Sequence, residues 1–284
     1  MESVNFDRAA SFYDATRALP AGAMRELTSQ LTAELAARSP CMEIGVGTGR
    51  FALALRDRGI AIAGADISGA MLRRLVANTG GCPPLPLLQA DATRLPVAAG
   101  TFGSVLAVHV LHLIPDWRIA VDEAARVLRP GGTLLASFPT DNRAAPGAGL
   151  SGLSEPGLGE PGPTGRAAEA GAPWSAALGE AARRHGMVRR AIGARDPQAV
   201  AAYLGSRATA RELAPVTYRT VTTLGETLSN FEQQLFSWTW PYTASQAAAV
   251  AAEVRDWADR AGLPLSAAHE SLAASRWWAF DLAL

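Results

Sequence analysis

The stretch Glu43-Ile44-Gly45-Val46-Gly47-Thr48-Gly49-Arg50 constrains the fold of this chain more than any other. A short apolar run, Pro40 to Ile44, leads into it, and a helical pattern, Phe51-Ala52-Leu53-Ala54-Leu55, leads out. An acidic residue followed by glycines at alternate positions is the turn between a strand and its helix. Glycine has no Cβ, so the backbone turns tightly there and can lie against a ligand. The following helix presents its unbonded N–H groups at the same place. A dinucleotide fingerprint reads G-x-G-x-x-G, with the third glycine packing helix on strand. Here the third glycine comes one residue early and Arg50 takes the dinucleotide position. The turn alone leaves two readings open, a nucleotide-type site or a tight connection with no ligand.

The next segments favour the site. Ile60-Ala61-Ile62-Ala63-Gly64-Ala65-Asp66 reads as a second strand ending in a carboxylate. It follows the glycines by about 20 residues, where α/β nucleotide sites place the acid that bonds ribose hydroxyls. Ser68 is suited to cap a helix containing Met71 and Leu72. Leu85 to Ala90 reads as a third strand ending at Asp91. Glu43, Asp66 and Asp91 therefore fall at or near the C-terminal ends of consecutive strands, the edge at which open parallel sheets bind ligands.

With these residues in place the chain resembles the class I S-adenosylmethionine-dependent methyltransferases, and within them the ubiquinone/menaquinone biosynthesis group. The matching segments are the glycine turn, Gly64-Ala65-Asp66-Ile67-Ser68, Gln89-Ala90-Asp91-Ala92, Leu111-His112-Leu113-Ile114-Pro115-Asp116 and Val127-Leu128-Arg129-Pro130-Gly131-Gly132. The resemblance implies an α/β fold: a Rossmann-like, doubly wound seven-stranded sheet, mostly parallel with an antiparallel last strand, plus a mostly helical insertion or cap. It implies S-adenosyl-L-methionine as cofactor, with S-adenosyl-L-homocysteine as product. The glycine turn would cradle the methionine part, Asp66 the ribose hydroxyls, and Asp91 with the Ala92 N–H the adenine edge; the expected cofactor contacts are Glu43, Gly45, Val46, Gly47, Gly49, Asp66, Ile67, Met71, Asp91, Ala92 and Val108. Tyr13 and Arg17 resemble a family pattern in which an N-terminal helix folds over the cofactor. Tyr13 would close the pocket, and Arg17 would meet a carboxylate of the cofactor or of the substrate. The family usually carries Asp after the Phe before the fourth strand; here Gly103 follows Phe102, and a local structural effect is expected.

Composition narrows the partners. Formal net charge is zero and no basic run occurs, which argues against a nucleic-acid backbone. Cys41 and Cys82 are the only cysteines; they give neither a disulfide framework nor metal spacing, and fit a reduced, cytoplasmic setting. No apolar run is long enough to span a bilayer. A small-molecule substrate and a monomer or homodimer are expected. Every Lys+Arg position is arginine, so no lysine is available as base or Schiff-base nucleophile.

Strands and helices alternate to about residue 138, the pattern of a parallel sheet. Met24 to Ala37 has helical spacing, the fourth strand is Val105 to His109, Asp116 to Leu128 is a helix, and Pro130-Gly131-Gly132 turns into a fifth strand, Thr133 to Phe138. Asp141 to Pro173 is rich in Gly and Pro with no periodicity, a composition that favours mobility or a substrate lid. Helical pattern resumes at Ser175 to His185 and near Pro197 to Leu204. Beyond it lie a strand near Val216, a helix Leu224 to Leu235, a helix Ala244 to Ala261 and a last strand Ser271 to Leu282. The expected organisation is a cofactor core over residues 1–140, an insertion over 141–213, and a C-terminal part, 214–284, that completes the sheet and the acceptor site.

Methyl transfer needs chiefly a nucleophile held in line; a hydroxyl acceptor also gains from a general base. His109 and His112, at the end of the fourth strand and on the next turn, are the candidate bases. Tyr13, His112, Trp238, Trp240 and Tyr242 are candidate substrate contacts, the aromatics because they offer large flat area. The expected activity is methyl transfer to O, N or C of a small, hydrophobic or aromatic molecule, in biosynthesis and secondary metabolism. Two alternatives stay open on the same motifs: a cyclase or isomerase that keeps the cofactor without transferring methyl, and a non-catalytic cofactor-binding protein.

Overall fold

The computed structural model describes residues 3–139 and 172–283. The expectation of a mobile Asp141–Pro173 segment falls almost wholly outside the described residues. Two compact units are present. The first holds the described residues up to 139 together with 191–216 and 275–283; the second holds 172–190 and 217–274. This division departs from the expected boundaries at 140 and 213, because the chain returns to the first unit twice.

In the first unit, α1 (Tyr13–Arg17) and α2 (Ala21–Leu35) precede β1 (Cys41–Ile44), α3 (Arg50–Arg56), β2 (Ile62–Asp66), α4 (Gly69–Asn78), β3 (Leu87–Gln89) and β4 (Phe102–Val108). α5 (Trp117–Val127) and β5 (Leu128–Ser137) follow. The second unit begins with α6 (Ser175–Arg184). The chain then gives α7 (Pro197–Leu204) and β6 (Ala208–Glu212) to the first unit. β7 (Val216–Thr223), α8 (Leu224–Glu232), α9 (Ala244–Arg260) and β8 (Ala268–Ser275) belong almost entirely to the second, and β9 (Trp278–Leu282) returns to the first.

The seven-stranded sheet has the order β3-β2-β1-β4-β5-β9-β6. β1 pairs in parallel with β2 and β4, and β9 runs antiparallel between β5 and β6. The order reverses at β1, so the ends of β1 and β4 flank a crevice of the kind in which open α/β sheets hold ligands. The central strands are buried on both faces, which is why they read as nearly unbroken apolar runs. Met42, Ile44, Val105, Ala107, Leu134 and Ala136 pack in one cluster with Trp117, Val121, Val200 and Leu204 of α5 and α7. The alternate residues Cys41, Leu106, Leu135 and Ala279 are also buried. α2 turns Leu27, Leu31 and Leu35 inward at four-residue spacing. In the second unit, α6, α8 and α9 bury Trp174, Leu178, Leu228, Phe231 and Val250 in a core of their own, beside a two-stranded sheet of β7 and β8.

Two strand expectations are corrected. The run Ser271 to Leu282 is not one strand: it divides into β8 and β9, which join different sheets. Near-continuous apolar character hides that break, since periodicity carries no mark of which sheet a strand enters. β6, Ala-Thr-Ala-Arg-Glu, lay in the expected insertion, yet it forms the edge of the main sheet. It is short and polar, and its place is secured by Arg211. That guanidinium donates to Glu34 of α2 at 3.1 and 2.7 Å and to Asp281 of β9 at 2.7 Å. The Pro130-Gly131-Gly132 segment, expected as a turn before β5, lies within it, where the β4–β5 register shifts between Phe102 and Ser104.

The family departure at Gly103 has a local cause. A Cβ placed there would sit 2.4 Å from the Arg38 carbonyl oxygen, and the Gly103 N–H donates to the Pro40 carbonyl at 2.9 Å. Backbone cannot yield as a flexible side chain can, so the overlap must displace β4 from the segment before β1. Gly103→Asp, which installs the residue usual in the family, is expected to destabilise the fold by about 2 kcal/mol or more. Urea unfolding checks this; a midpoint equal to wild type would refute the steric account.

Candidate cofactor site

β1 ends at Ile44 and the chain turns through Gly45, Gly47 and Gly49, whose φ angles are +69°, +56° and +84°. Side chains other than glycine rarely adopt these values. A Cβ on Gly45 would also lie 2.6 Å from Val110 Cγ2. The Gly45 and Val46 N–H groups donate to the Ala65 carbonyl at 2.8 and 3.0 Å, drawing the turn onto the end of β2.

Asp66 fixes that arrangement. Its Oδ2 accepts the Gly47 N–H at 2.8 Å and its Oδ1 accepts the Ser68 N–H at 2.8 Å. Burial nevertheless raises its pKa, against the pull of both N–H donors. Ser68 caps α4 as expected, its hydroxyl oxygen accepting the Met71 N–H at 3.1 Å. Asp91 Oδ1 accepts the backbone N–H and the hydroxyl of Thr93, both at 2.8 Å.

These elements line a cleft that is partly open to solvent. Among the expected cofactor residues, Tyr13, Gly45, Gly47, Asp66, Ile67, Met71, Asp91, Ala92 and Val108 line it. Arg17, Glu43, Val46 and Gly49 do not line it. Val46 and Gly49 act behind the turn: Val46 packs against Gly64, and a Cβ on Gly49 would meet Leu75 at 2.9 Å. Ser3, Val4, Phe6, Val110, Leu113 and Ile114 also line the cleft. Leu113 and Ile114 belong to a matched segment without being among the expected contacts, and Val4, Phe6 and Val110 escape sequence reasoning because an apolar residue outside a regular helix or strand carries no periodic signal. Among the candidate bases, His109 lines the cleft and His112 does not. The His112 carbonyl instead accepts the Gly193 N–H at 3.1 Å, fixing the 3-10 turn Leu111–Leu113. Trp238, Trp240 and Tyr242 lie in the second unit and have partners there. Trp238 meets Phe231 edge-on at 5.7 Å, Trp240 Nε1 donates to the Gln234 carbonyl at 2.8 Å, and the Tyr242 hydroxyl bridges the Val188 N–H and carbonyl at 2.8 and 2.7 Å.

His109 adopts φ +48°, a left-handed conformation that is uncommon outside glycine. Its N–H is shared between the Ser137 carbonyl and hydroxyl at 3.3 and 3.2 Å. Burial, then the nearby Arg50 and Arg17, depress the imidazole pKa to about 3. Arg50 donates to the Arg17 carbonyl, and burial lowers the Arg17 pKa in turn.

Glu43 is 2 % exposed, and its Oε2 is buried without a hydrogen-bond partner. Burial raises its pKa from 4.5 to about 8, although Arg50 and the Ala52 N–H favour the carboxylate. The folded protein thus holds a proton that the unfolded chain releases near pH 4.5. The stability linked to this proton is fully present below pH 4.5 and is lost as pH rises through about 8. Glu43→Gln should remove that loss, so thermal melts of the ligand-free protein from pH 5 to 9 should show the variant gaining on wild type as pH rises. A constant difference in Tm across that range would place the titration elsewhere.

Comparison with known proteins bears on these motifs. Residues 42–136 match the methyltransferase domain family. The chain is 33 % identical over 129 residues to the malonyl-[acyl-carrier protein] O-methyltransferase of Geobacter sulfurreducens, covering 45 % of this chain and 48 % of that one. It is 32 % identical over 139 residues to the demethylmenaquinone methyltransferase of Corynebacterium urealyticum, covering 48 % and 58 %. The chain thus spans about half the length of these curated relatives. The crystal structure of the YcgJ protein from Bacillus subtilis shares the fold, with a TM-score of 0.53 at 15 % identity over 91 % of this chain and 99 % of that one. The glycine turn and the two strand-end aspartates thus lie in the segment, residues 42–136, that matches the methyltransferase domain family, and the chain is similar to methyltransferases over that half of its length.

Proposed function

We propose that the protein transfers a methyl group from S-adenosylmethionine to an O, N or C atom of a small, hydrophobic or aromatic molecule in biosynthesis. The observation that carries this reading is the cleft at the strand ends, where Asp66 and Asp91 meet a turn whose glycines leave no Cβ at Gly45 and Gly47. Its walls beyond the aspartates are mostly apolar, with Val4, Phe6, Val110, Leu113 and Ile114 among them. The relatives' names cover an O-acceptor and a demethylmenaquinone, so the acceptor class rests on this wall.

When bound, the cofactor supplies an electrophilic methyl group on a sulfonium centre. The protein's part is to bind, orient and exclude water. Asp66, with its two N–H donors already in place, is rigidly set to accept from ribose hydroxyls. Asp91 and Ala92 serve the adenine side, and the glycine turn receives the amino-acid tail. Tyr13 and Phe6, edge-to-face at 6.0 Å, both line the cleft. Orientation of the acceptor atom then provides most of the acceleration. His109 is neutral throughout the physiological range, and a base whose pKa lies near 3 takes a hydroxyl proton poorly. We therefore assign it to orienting the acceptor.

Two outcomes test this. A charged hydrogen bond contributes about 1.5–3 kcal/mol, so Asp66→Ala should weaken S-adenosylhomocysteine binding about tenfold to a hundredfold by calorimetry. Unchanged affinity would remove the ribose assignment, and a preference for NAD would remove the whole reading. For His109→Asn, which tolerates the left-handed backbone, kcat should fall by less than about tenfold, and wild-type kcat should stay flat from pH 5 to 8. A loss of about 10²–10⁴ with an inflection near pH 6.5 would restore His109 as general base.

A further inference from the structure

The N-terminal segment 3–17 covers the cleft through Ser3, Val4, Phe6 and Tyr13, yet hydrophobic burial scarcely holds it. Among residues 3–20 only Ala9 is buried, and α1, five residues long, buries none. A helix that short is not stable by itself in water. The Val4 N–H donates to the Leu113 carbonyl at 3.1 Å and Arg50 donates to the Arg17 carbonyl, and between these contacts two carboxylates supply the side-chain attachment. Asp14 Oδ1 accepts the Thr48 hydroxyl at 2.5 Å, inside the glycine turn, and its Oδ2 accepts from Asn78 Nδ2 at 2.9 Å with Arg74 Nε 3.8 Å away. Asp7 Oδ1 accepts the Ser68 hydroxyl at 2.6 Å and the Ala70 N–H at 3.1 Å, at the start of α4. Thr48 is 3 % exposed and Ser68 is fully buried, so both links are shielded from water on the scaffold side.

Ser68 connects this attachment to the floor of the cleft. Its N–H donates to Asp66 while its hydroxyl donates to Asp7. The carboxylate expected to meet the ribose and the carboxylate that holds the segment thus grip one residue from opposite sides. We propose that Asp7 and Asp14 are positioning residues which latch segment 3–17 shut over the cleft, and that occupancy of the cleft at Asp66 tightens the latch through Ser68. This rests on the reading of the cleft as the S-adenosylmethionine site. Coupling of this kind is reciprocal: a ligand that tightens the latch is itself released more slowly when the latch is whole.

The test uses the full chain with S-adenosylhomocysteine as probe. Release of labelled S-adenosylhomocysteine into an unlabelled chase should be about tenfold faster or more for Asp14→Ala and for Asp7→Ala, since each substitution removes at least one charged hydrogen bond. Thr48→Val cuts the Oδ1 link from the other side and should release faster than wild type but no faster than Asp14→Ala, which also loses Asn78 and Arg74, while Thr48→Ser, which keeps the hydroxyl, should match wild type. The Asp14→Ala/Thr48→Val double variant should be no faster than Asp14→Ala alone, because that substitution already removes the bond that Thr48→Val removes. Hydrogen exchange should show the probe protecting residues 13–17 in wild type and not in Asp14→Ala, with ligand-free Tm values close to each other. Wild-type release rates in Asp7→Ala, Asp14→Ala and Thr48→Val, with segment protection independent of the probe, would overturn the latch while leaving the cofactor reading intact. Failure of wild type to bind the probe at all would overturn both.

Discussion

The carboxylate of Asp66 is held from two sides by backbone, and much of the site follows from that. Gly47 reaches it from the turn after β1, and Ser68 reaches it from the turn after β2. Two loops that are separate in the chain are thereby fixed against each other by one side chain. The cost is desolvation of a carboxylate, visible in its raised pKa; the two charge-assisted hydrogen bonds offset part of it. A loop pair fixed this way needs no ligand to hold its shape, which is the condition for a site that orients rather than gathers its substrate.

Much of this was legible in the sequence because it depends on local rules. Glycines needing positive φ, carboxylates closing apolar strands and a Ser before a helix each leave a mark at fixed spacing, and each occupies the expected place. Asp7 and Asp14 left no such mark. An acid near a chain's beginning reads as surface, and its partners Thr48, Ser68 and Asn78 lie 34 to 64 residues away. The same limit explains β6, whose polar sequence acquires a sheet position only through Glu34 and Asp281. It explains His112 as well: its motif suggested chemistry, while its observed bond is a backbone one to Gly193, a contact no spacing rule foretells.

Charge is distributed unevenly beside the cleft. The aspartates lie at the ends of β2 and β3, whereas Arg17 and Arg50 approach each other near His109 at the end of β4. The one acid that couples to Arg50 from behind the turn, Glu43, is pushed toward its protonated form. Burial first, and then the two guanidinium groups, depress the imidazole pKa that made this histidine attractive as a base. This is the basis on which we assign His109 to orienting the acceptor and not to relaying a proton.

The position of β9 carries a consequence for how the chain is made. Residues 278–282 follow every other described strand in sequence, yet they occupy the space between β5 and β6. Until they emerge from the ribosome, β5 has no neighbour on that side and β6 has nothing to pair with. The nascent chain can assemble β1 to β5 early, but it must wait with an open sheet edge while about 140 further residues are synthesised, on the order of ten seconds or more at common elongation rates. Unpaired edges of that kind invite association with other chains. Premature termination before Trp278 should therefore yield an aggregating product even though every residue of the cofactor cleft has already been made.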